Sequence, residues 1–201
     1  MGGVHLERSL LELMKKRRSI RKYKKEHVPL KKIYEILEAG RYAPSGANRQ
    51  PWIYIIITDE RLKEDIRREA EGVERKFHKK APEWLRKWFE EQGITAEKSF
   101  LTDASALIVV ASDTKAPYWL ESTWISISYI LLSAASQNLG TLTYTPSDTV
   151  FLRRMLNLPE NYRLVAILPI GYPAETPPPK TRPRKPLEQI VHQNRYGLKK
   201  L

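Results

Sequence analysis

Two short segments carry the side chains best suited to binding an anionic group. Guanidinium groups present fork-shaped pairs of donors that match the oxygens of a phosphate, and a hydroxyl adds one more donor. A solvated basic turn is the alternative for each segment, because basic residues also close helices favourably. The first segment holds Arg17, Arg18, Ser19 and Arg21, and the second holds Arg182, Arg184 and Lys185.

Two further segments have small or hydroxyl-bearing side chains that suit a flat ligand. Ser45, Gly46 and Ala47 would let a ring system approach the backbone amides, since no bulky side chain intervenes. Residues 141–146, the threonine-rich run, alternate threonines with larger residues before Pro146. An ordinary helix-to-strand turn and a short strand are the respective alternatives, so the surrounding sequence must decide.

The composition excludes several other kinds of chemistry. The 201 residues include no cysteine, which excludes disulfides, thiol nucleophiles and thiolate metal sites. The four histidines lack the spacing of metal ligands, so we expect no metal centre. The formal net charge of +12 is compatible with nucleic acid, an acidic surface or concentrated phosphate sites as partners.

The length and the hydropathy pattern favour one domain in an aqueous compartment. No apolar run approaches the ~20 residues that a membrane-spanning helix needs, and the charged N-terminus is unlike a secretory signal. We therefore expect a soluble, cytoplasmic protein with no membrane partner. A single domain over residues 1–201 fits the length better than two. The absence of cysteine and the abundance of Lys, Arg and Glu resemble the composition of heat-adapted proteins.

Helical periodicity and β-rich apolar runs alternate along the chain and predict an α+β domain. The strands are continuous apolar runs, so we expect them to be buried on both faces. The helix over 121–139 lacks a charged face, which predicts burial all round in the core or at a subunit interface. The proline-rich residues 173–186 predict an extended arm. Predicted helices cover about 5–16, 29–40, 59–80, 82–92 and 121–139, and predicted strands cover 52–57, 106–111 and 164–170.

Five segments of the chain together resemble the nitroreductase superfamily of FMN enzymes. They match it in order and spacing, which one short motif could not establish. Within that superfamily, Ala-Pro-Ser-Gly-Ala at 43–47 and the threonine-rich run resemble the iodotyrosine deiodinase branch. The five segments are Arg-Arg-Ser-Ile-Arg at 17–21, Ala-Pro-Ser-Gly-Ala-Asn-Arg-Gln-Pro-Trp at 43–52, Gln-Asn-Leu-Gly at 137–140, Leu-Pro-Ile-Gly-Tyr-Pro at 168–173 and Arg-Lys-Pro-Leu-Glu-Gln-Ile-Val at 184–191.

The resemblance implies a nitroreductase-like fold, with a central mixed β-sheet packed by helices, in an obligate homodimer. Each of two FMN sites would lie at the subunit interface and combine residues of both chains. A helical lid over about residues 66–99 and an extended C-terminal arm over 173–201 are also implied. The implied cofactor-binding residues are Arg17, Arg18, Ser19, Arg21 and Arg184 at the phosphate, ribityl and pyrimidine end of FMN, Ser45 and Ala47 from the partner chain, and Thr143, Tyr144 and Thr145 on the N5 side.

Two of these residues would have the catalytic roles that the resemblance implies. Arg21 would lie near the N1/O2 edge of the flavin, where a cation favours the reduced anion. The Thr145 hydroxyl would lie at N5, where it would permit single-electron steps. A residue of this kind is linked to dehalogenation in the deiodinase branch.

The resemblance also implies substrate-binding residues on the lid. In deiodinases a glutamate, a tyrosine four residues later and a more distant lysine grip the zwitterion of a halotyrosine. Glu74 and Lys98 stand at two of these positions, His78 stands where the tyrosine is expected, and Ala47 would approach from its loop. A solvated helix is the alternative for this strongly charged segment.

We therefore expect an FMN-dependent oxidoreductase with ping-pong electron transfer from NAD(P)H or another reductant to a small aromatic acceptor. The acceptor would be a halotyrosine or halophenol that undergoes reductive dehalogenation. A general nitroreductase, NADH oxidase or quinone reductase is the alternative that His78 favours. A basic nucleic-acid-binding module is more distant, because the arginines concentrate in two short segments, so we expect no nucleic-acid partner.

Overall fold

A four-stranded sheet forms the centre of the fold. The computed structural model describes residues 3–175 and 183–197, so Arg182 and parts of the expected arm lie outside the described residues. The three β-rich runs form strands where the sequence predicted them. The strands β1 (Trp52–Ile57), β2 (Ala106–Asp113), β3 (Gly140–Thr141) and β4 (Tyr162–Gly171) lie in the order β1-β2-β4-β3.

The described strands do not form the mixed sheet that we expected. The neighbouring pairs β1–β2, β2–β4 and β3–β4 are all antiparallel. In the described part of the chain, parallel pairing is confined to an isolated bridge between Ser19 and Thr141. The prediction of a mixed sheet is therefore wrong for these strands. Their continuous apolar runs reflect helices on both faces, which bury the central strands whatever direction they run.

Helices cover both faces of this sheet. They are α1 (Gly3–Lys16), α2 (Leu30–Arg41), α3 (Glu60–Lys80), α4 (Glu83–Glu91), α5 (Phe100–Asp103), α6 (Trp119–Ser136), α7 (Val150–Met155) and α8 (Leu187–Ile190). The long helices begin and end within a few residues of their predicted bounds. We gave no bounds for α5, α7 and α8, because helices of four to six residues show no periodicity. Among the described helices, none combines the length and apolar character that crossing a membrane requires.

Two apolar clusters, one on each face of the sheet, form the core. Alternate residues of β2 point to opposite faces, so Leu107 and Val109 join one cluster while Ile108 and Val110 join the other. The first cluster packs against α3, α5 and α7, and the second packs against α2 and α6. Each fully buried side chain of this kind contributes ~1.5–3 kcal/mol, so the sheet is a rigid base for the loops at its edges.

The long helix α6 is buried on one face only within this chain. Ile127 and Ile130 are fully buried against the second cluster. On the other side, Trp124, Ile125 and Tyr129 are 38%, 40% and 41% exposed. Burial all round is therefore wrong for a single chain, and burial at a subunit interface stays a prediction.

The chain after β4 returns along residues 22–24 before it enters the expected arm. The Lys24 N–H donates to the Tyr172 carbonyl at 2.9 Å, and the Ala174 N–H donates to the Lys22 carbonyl at 2.9 Å. Farther on, α8 forms one short helical turn where we expected extended chain. Its apolar side chains are largely exposed, so this part of the arm makes little contact with its own chain.

Candidate active site

The arginine edge, residues 17–21, runs along the side of the sheet next to β3. Ser19 forms the bridge with Thr141, and the Ile20 N–H donates to the Thr141 carbonyl at 3.1 Å. Gly140 permits this approach, because a Cβ there would lie 2.8 Å from Cγ2 of Ile20. The three arginines follow the end of α1, and the bridge fixes their position relative to the sheet.

A cavity of about 540 Å³ opens beside the arginine edge. This volume lies within the range of small-molecule sites. Basic and apolar residues both line the cavity, and Glu175 adds a carboxylate. The lining thus offers both donors for an anion and an apolar wall. The basic residues are Lys15, Lys16, Arg17 and Arg18, and the apolar residues include Leu131, Ala135 and Leu139.

Arg184 lies close enough to Arg17 for the two charges to interact. Burial lowers the pKa of Arg17, and the charges of Arg184 and then Arg18 lower it further. Like charges that gather in a partly buried site are unfavourable unless an anion neutralises them. The structure therefore brings residues of the two basic segments together at a place that would favour an anion.

Glu175 contacts the arginine edge in a way that the sequence did not predict. Its Oε1 accepts hydrogen bonds from the Arg21 N–H at 2.6 Å and the Lys22 N–H at 3.2 Å. Two successive backbone N–H groups that converge on one oxygen form an anion-binding concavity. Glu175 thus fastens the start of the arm to the arginine edge, while the side chain of Arg21 stays exposed.

The threonine-rich run directs its side chains to two opposite sides. The Tyr144 N–H donates to the Ile167 carbonyl at 2.9 Å, and its carbonyl accepts from the Ile167 N–H at 2.8 Å. Because alternate side chains of an extended segment point in opposite directions, Tyr144 is buried while Thr143 and Thr145 are exposed. The two threonine hydroxyls are therefore open to a ligand, whereas the Tyr144 side chain faces the core and not the expected cofactor.

Glu74 is a buried carboxylate on α3, with 7% of its surface exposed. Its Oε1 accepts hydrogen bonds from the Tyr144 hydroxyl and from the Ser147 N–H, both at 3.1 Å. Both donors belong to the threonine-rich run or follow it directly. The solvated-helix alternative is therefore wrong for Glu74.

Lys98 joins this buried group from the segment before α5, with 8% of its surface exposed. Burial lowers the pKa of Lys98, the carboxylates of Glu74 and Glu71 oppose that shift, and the charge of Arg21 adds to it. Its ammonium group lies 5.9 Å from the centre of the Tyr144 ring. Lys98 is thus near enough to two carboxylates of α3 and to Arg21 for their charges to affect it.

His78 connects the two helices of the predicted lid. Its ring stacks on Phe89 of α4, with ring centres 4.4 Å apart and an angle of 17° between the planes. Its Nε2 lies 3.9 Å from Oε2 of Glu74. His78 therefore contributes an imidazole near the carboxylate and packs α3 against α4.

The corner loop, residues 45–50, has a strained backbone ahead of β1. The Ser45 hydroxyl accepts a hydrogen bond from the Gln50 N–H at 2.9 Å and so closes the loop. Ala47, Asn48 and Gln50 have φ angles of 48°, 53° and 45°, in the left-handed region that residues with a Cβ rarely adopt. Strain of this kind concentrates at ligand-binding sites.

Within one chain the corner loop lies far from the arginine edge. β1 and β3 are the two outer strands, three spacings of ~4.8 Å apart. Trp52 is in register through Ser112 with Arg163, whereas Thr141 pairs with Ile170, seven residues farther along β4. The two features thus lie at diagonally opposite corners of the sheet, on the order of 25 Å apart. One chain does not bring Ser45 and Ala47 to the cavity.

The sequence model of the nitroreductase family matches residues 14–172, which include the arginine edge, the corner loop and the threonine-rich run. The chain belongs to the nitroreductase family. An iodotyrosine deiodinase of Thermotoga neapolitana is 41% identical over 187 residues, which cover 93% of this chain and 98% of the relative. An iodotyrosine deiodinase of Nematostella vectensis is 37% identical over 193 residues, which cover 89% of this chain and 72% of the relative.

Solved structures of the nitroreductase family share this fold. A crystal structure of oxidized iodotyrosine deiodinase bound to FMN and 3-iodo-L-tyrosine is 39% identical, has a TM-score of 0.87, and covers 93% of this chain and 100% of its own. A nitroreductase with bound FMN from Bacteroides fragilis is 25% identical, has a TM-score of 0.70, and covers 88% of this chain and 94% of its own. The nitroreductase-like α+β fold that we expected is therefore confirmed.

Sequence reasoning missed two contacts in this nitroreductase-family site. Glu175 gave no signal, because its role depends on how residues 172–174 pair with residues 22–24. Tyr144 did give a signal: a tyrosine between two threonines in an extended segment must point away from them. The period of two would have assigned Tyr144 to the core had we applied it to this run.

Proposed function

We propose that this nitroreductase-family chain binds FMN and removes halide reductively from a halogenated tyrosine or phenol, with NAD(P)H or another reductant as the electron donor. The observation that carries the proposal is that Arg17 lines a cavity of about 540 Å³ and lies near enough to Arg184 for the two charges to interact. The relatives named iodotyrosine deiodinase support it, as does the similar structure that contains FMN and 3-iodo-L-tyrosine. When bound, FMN supplies the two electrons that, with a proton, replace a carbon–halogen bond by a carbon–hydrogen bond.

The arginine edge fits the phosphate end of FMN. A phosphate dianion would neutralise the unfavourable proximity of Arg17, Arg18 and Arg184, and guanidinium groups can bind it with two hydrogen bonds each. The Ser19 hydroxyl would add a further donor to the same end. We assign these four residues to the phosphate and ribityl chain of FMN.

Arg21 and two threonines would act on the ring system. An exposed guanidinium at Arg21 would favour negative charge at the N1/O2 edge, and it lies near enough to Lys98 to affect that residue's pKa. The hydroxyls of Thr143 and Thr145 are exposed on one side of the threonine-rich run. We propose that Thr145 donates a hydrogen bond at N5 and that Thr143 lies beside it.

Glu74 and Lys98 would hold the two charged ends of an amino-acid substrate. They are opposite charges in one buried group, so a zwitterion would find a partner for its ammonium group and one for its carboxylate. His78 would line the same place, and Ala47 would approach from a second chain. These assignments make residues 66–99 the lid that excludes water from the reacting carbon.

The position of the corner loop supports a homodimer. Ser45 and Ala47 lie at the opposite corner of the sheet from the cavity, so they would complete a flavin site only in a second copy of the chain. The exposed aromatic and aliphatic face of α6 offers a surface for that second copy. We propose one domain over 1–201, a dimer in which the arm from residue 173 contributes to the interface, and a cytoplasmic location.

A general nitroreductase, NADH oxidase or quinone reductase is the second candidate. Residue 78 is a histidine, so the lid helix has no phenol at the position where a deiodinase would grip a halotyrosine. The His78 ring stacks on Phe89 instead. An enzyme of this kind would accept nitroarenes and quinones and release little halide.

Two measurements test the proposal and separate the candidates. The purified protein should be yellow, with flavin absorption bands that persist through gel filtration. Under anaerobic dithionite reduction, it should release iodide from 3-iodotyrosine faster than it reduces a nitroarene. A protein that stays colourless after addition of FMN would contradict FMN binding, and fast nitro reduction without iodide release would favour the second candidate.

A further inference from the structure

A buried hydrogen bond joins the predicted lid to the threonine-rich run. The Tyr144 hydroxyl donates to Oε1 of Glu74 at 3.1 Å, and both residues are 7% exposed. The Ser147 N–H donates to the same oxygen at 3.1 Å. Glu74 belongs to α3, so these two bonds hold a residue of the lid against a segment that forms part of the sheet edge.

Tyr144 can only act as a donor in this pair. Burial raises its pKa, and the nearby charge of Glu74 raises it further. A hydrogen bond from a neutral donor to a buried carboxylate is stronger than one between neutral groups. The bond is therefore a persistent link and not a proton-transfer pair.

The same bond determines which oxygen of Glu74 faces a ligand. Oε1 is already occupied by two donors, whereas Oε2 faces the His78 imidazole at 3.9 Å, which is beyond a hydrogen bond. A cation that enters beside His78 would thus meet Oε2. Without the Tyr144 hydroxyl, the carboxylate would be free to turn about its side-chain torsions.

We propose that Tyr144 is a positioning residue that fastens the lid to the threonine-rich run and aims Oε2 of Glu74 at the ammonium group of an amino-acid substrate. The phenol that is absent from position 78 would then be supplied from the opposite side of the carboxylate. Because Tyr144 lies between Thr143 and Thr145, one bond would couple the order of the lid to the placement of both hydroxyls. The statement about substrate rests on the proposed function, and the statement about fastening does not.

Amide hydrogen exchange tests the fastening on the protein as purified. Tyr144→Phe keeps the ring in the core and removes only the hydroxyl. We expect exchange in peptides covering residues 71–91 to become about tenfold faster, the size expected for losing a hydrogen bond to a charged group. Exchange in β2 and β4 should not change. Equal exchange of the lid in the variant and the wild type would overturn the fastening.

Tyr54→Phe is the matched control. Tyr54 also makes a hydroxyl contact, to Ser126 at 2.5 Å, but this part-buried contact joins β1 to α6, away from the lid. This variant should leave lid exchange as it is in the wild type. Faster lid exchange in both variants would mean general loosening and would also overturn the fastening.

A pair of substrates tests the part about specificity. With dithionite as the electron source, 3-iodotyrosine or 2-iodophenol loses its carbon–iodine bond, gains a carbon–hydrogen bond and releases iodide. Only iodotyrosine has an ammonium group, so Tyr144→Phe should lower the ratio of kcat/KM for iodotyrosine over iodophenol about tenfold, mainly through KM. An unchanged ratio would overturn the aiming of Glu74. If the wild type binds no flavin, the proposed function and this second statement fail together, and the exchange experiment still decides the first.

Discussion

The arginine edge and the corner loop are built in opposite ways. The arginine edge is held by an isolated backbone bridge to β3 and by the Glu175 carboxylate, which follows β4. The corner loop instead contains three non-glycine residues with left-handed φ angles and leaves residues 47–50 exposed. The arginine edge is therefore held in place within a single chain, whereas the corner loop is strained and exposed.

We infer from this difference how a flavin site would be divided between the two chains of the proposed dimer. The arginine edge, the exposed threonine hydroxyls and the buried group around Glu74 all lie on the β3 side of one chain, so their geometry is set within that chain. The corner loop is on the β1 side, and its strained backbone makes sense if a second copy uses it. We infer that the phosphate end provides affinity, whereas the corner loop provides the fit to the ring.

The largest expected effect on FMN affinity comes from removing the arginines that would bind the phosphate. Arg17→Ala and Arg184→Ala should each weaken FMN binding by about 10- to 150-fold, since each removes a charge-assisted hydrogen bond to the phosphate of ~1.5–3 kcal/mol. The double variant should lose less than the product of the two, because both side chains contact the same anion. Quenching of FMN fluorescence on titration with apoprotein measures the affinity.

Arg61→Ala, on the exposed first turn of α3, is the control for general electrostatics. It should change FMN affinity by less than about twofold at moderate salt, since the screening length is ~8–10 Å. A loss as large as that of Arg17→Ala would show that net charge, and not the arginine edge, binds the cofactor.

The second effect comes from separating the two chains of the proposed dimer. Trp124→Glu places a charge in the centre of the exposed face of α6, where large aromatic residues dominate interface energies by ~2 kcal/mol or more. We expect the variant to sediment as a monomer and to bind FMN about tenfold more weakly, because the corner loop of the partner is lost. Tyr34→Glu, on the exposed side of α2, should stay dimeric. A wild-type monomer that retains FMN would contradict an FMN site shared between two chains.

The sequence predicted the long elements and the arginine edge better than the tertiary contacts between them. Long helices and apolar strands follow from periodicity, because burial on a sheet selects apolar side chains at fixed intervals. The arginine edge was a candidate because three guanidinium groups within five residues suit a phosphate, although a solvated basic turn fitted the same residues. The proximity of the Arg184 charge to Arg17 could not be derived from periodicity, because it depends on how the chain folds back after β4.

Two features were beyond reach of the sequence alone for a shared reason. The contact of Glu175 and the exposed face of α6 both depend on pairing between distant segments or between chains. The apolar helix over 121–139 shows this clearly, since the same composition fits burial within a chain and burial between two. The local pattern predicts which side chains of a segment can be buried, and only the tertiary or quaternary structure shows which surface they pack against.

A smaller effect on stability tests whether the charge of Glu71 holds the segment around Lys98 against α3. Burial would raise the pKa of Glu71, but the Lys98 N–H and the Arg67 guanidinium, at 2.9 Å and 2.7 Å, together lower it. A lowered carboxyl pKa stabilises the fold above the unfolded value of ~4.3, and that stability is lost as the pH falls through the folded value. Glu71→Gln should thus lower the free energy of unfolding by about 1 kcal/mol at pH 7, with the gap closing below about pH 4. Urea unfolding at both pH values measures it.

Glu64→Gln, on the exposed side of α3, is the matched control for this measurement. It should change the free energy of unfolding by no more than about 0.5 kcal/mol at pH 7. A gap for Glu71→Gln that persists at low pH would mean that packing, and not the carboxylate's charge, holds Lys98 to the lid.

The smallest effect concerns the strain in the corner loop. Ala47 has a φ angle of 48°, which glycine adopts freely, so Ala47→Gly should raise the free energy of unfolding of the apoprotein by about 0.5 kcal/mol. Ala39→Gly, within α2, should have the opposite sign at about 1 kcal/mol, because glycine weakens helix interiors. If the strained loop is shaped for the flavin of the partner, the gain should vanish once FMN is bound, since the looser loop must then be ordered again. Thermal unfolding with and without FMN compares the two states, and a gain that persists in the FMN complex would contradict a role for this strain in binding.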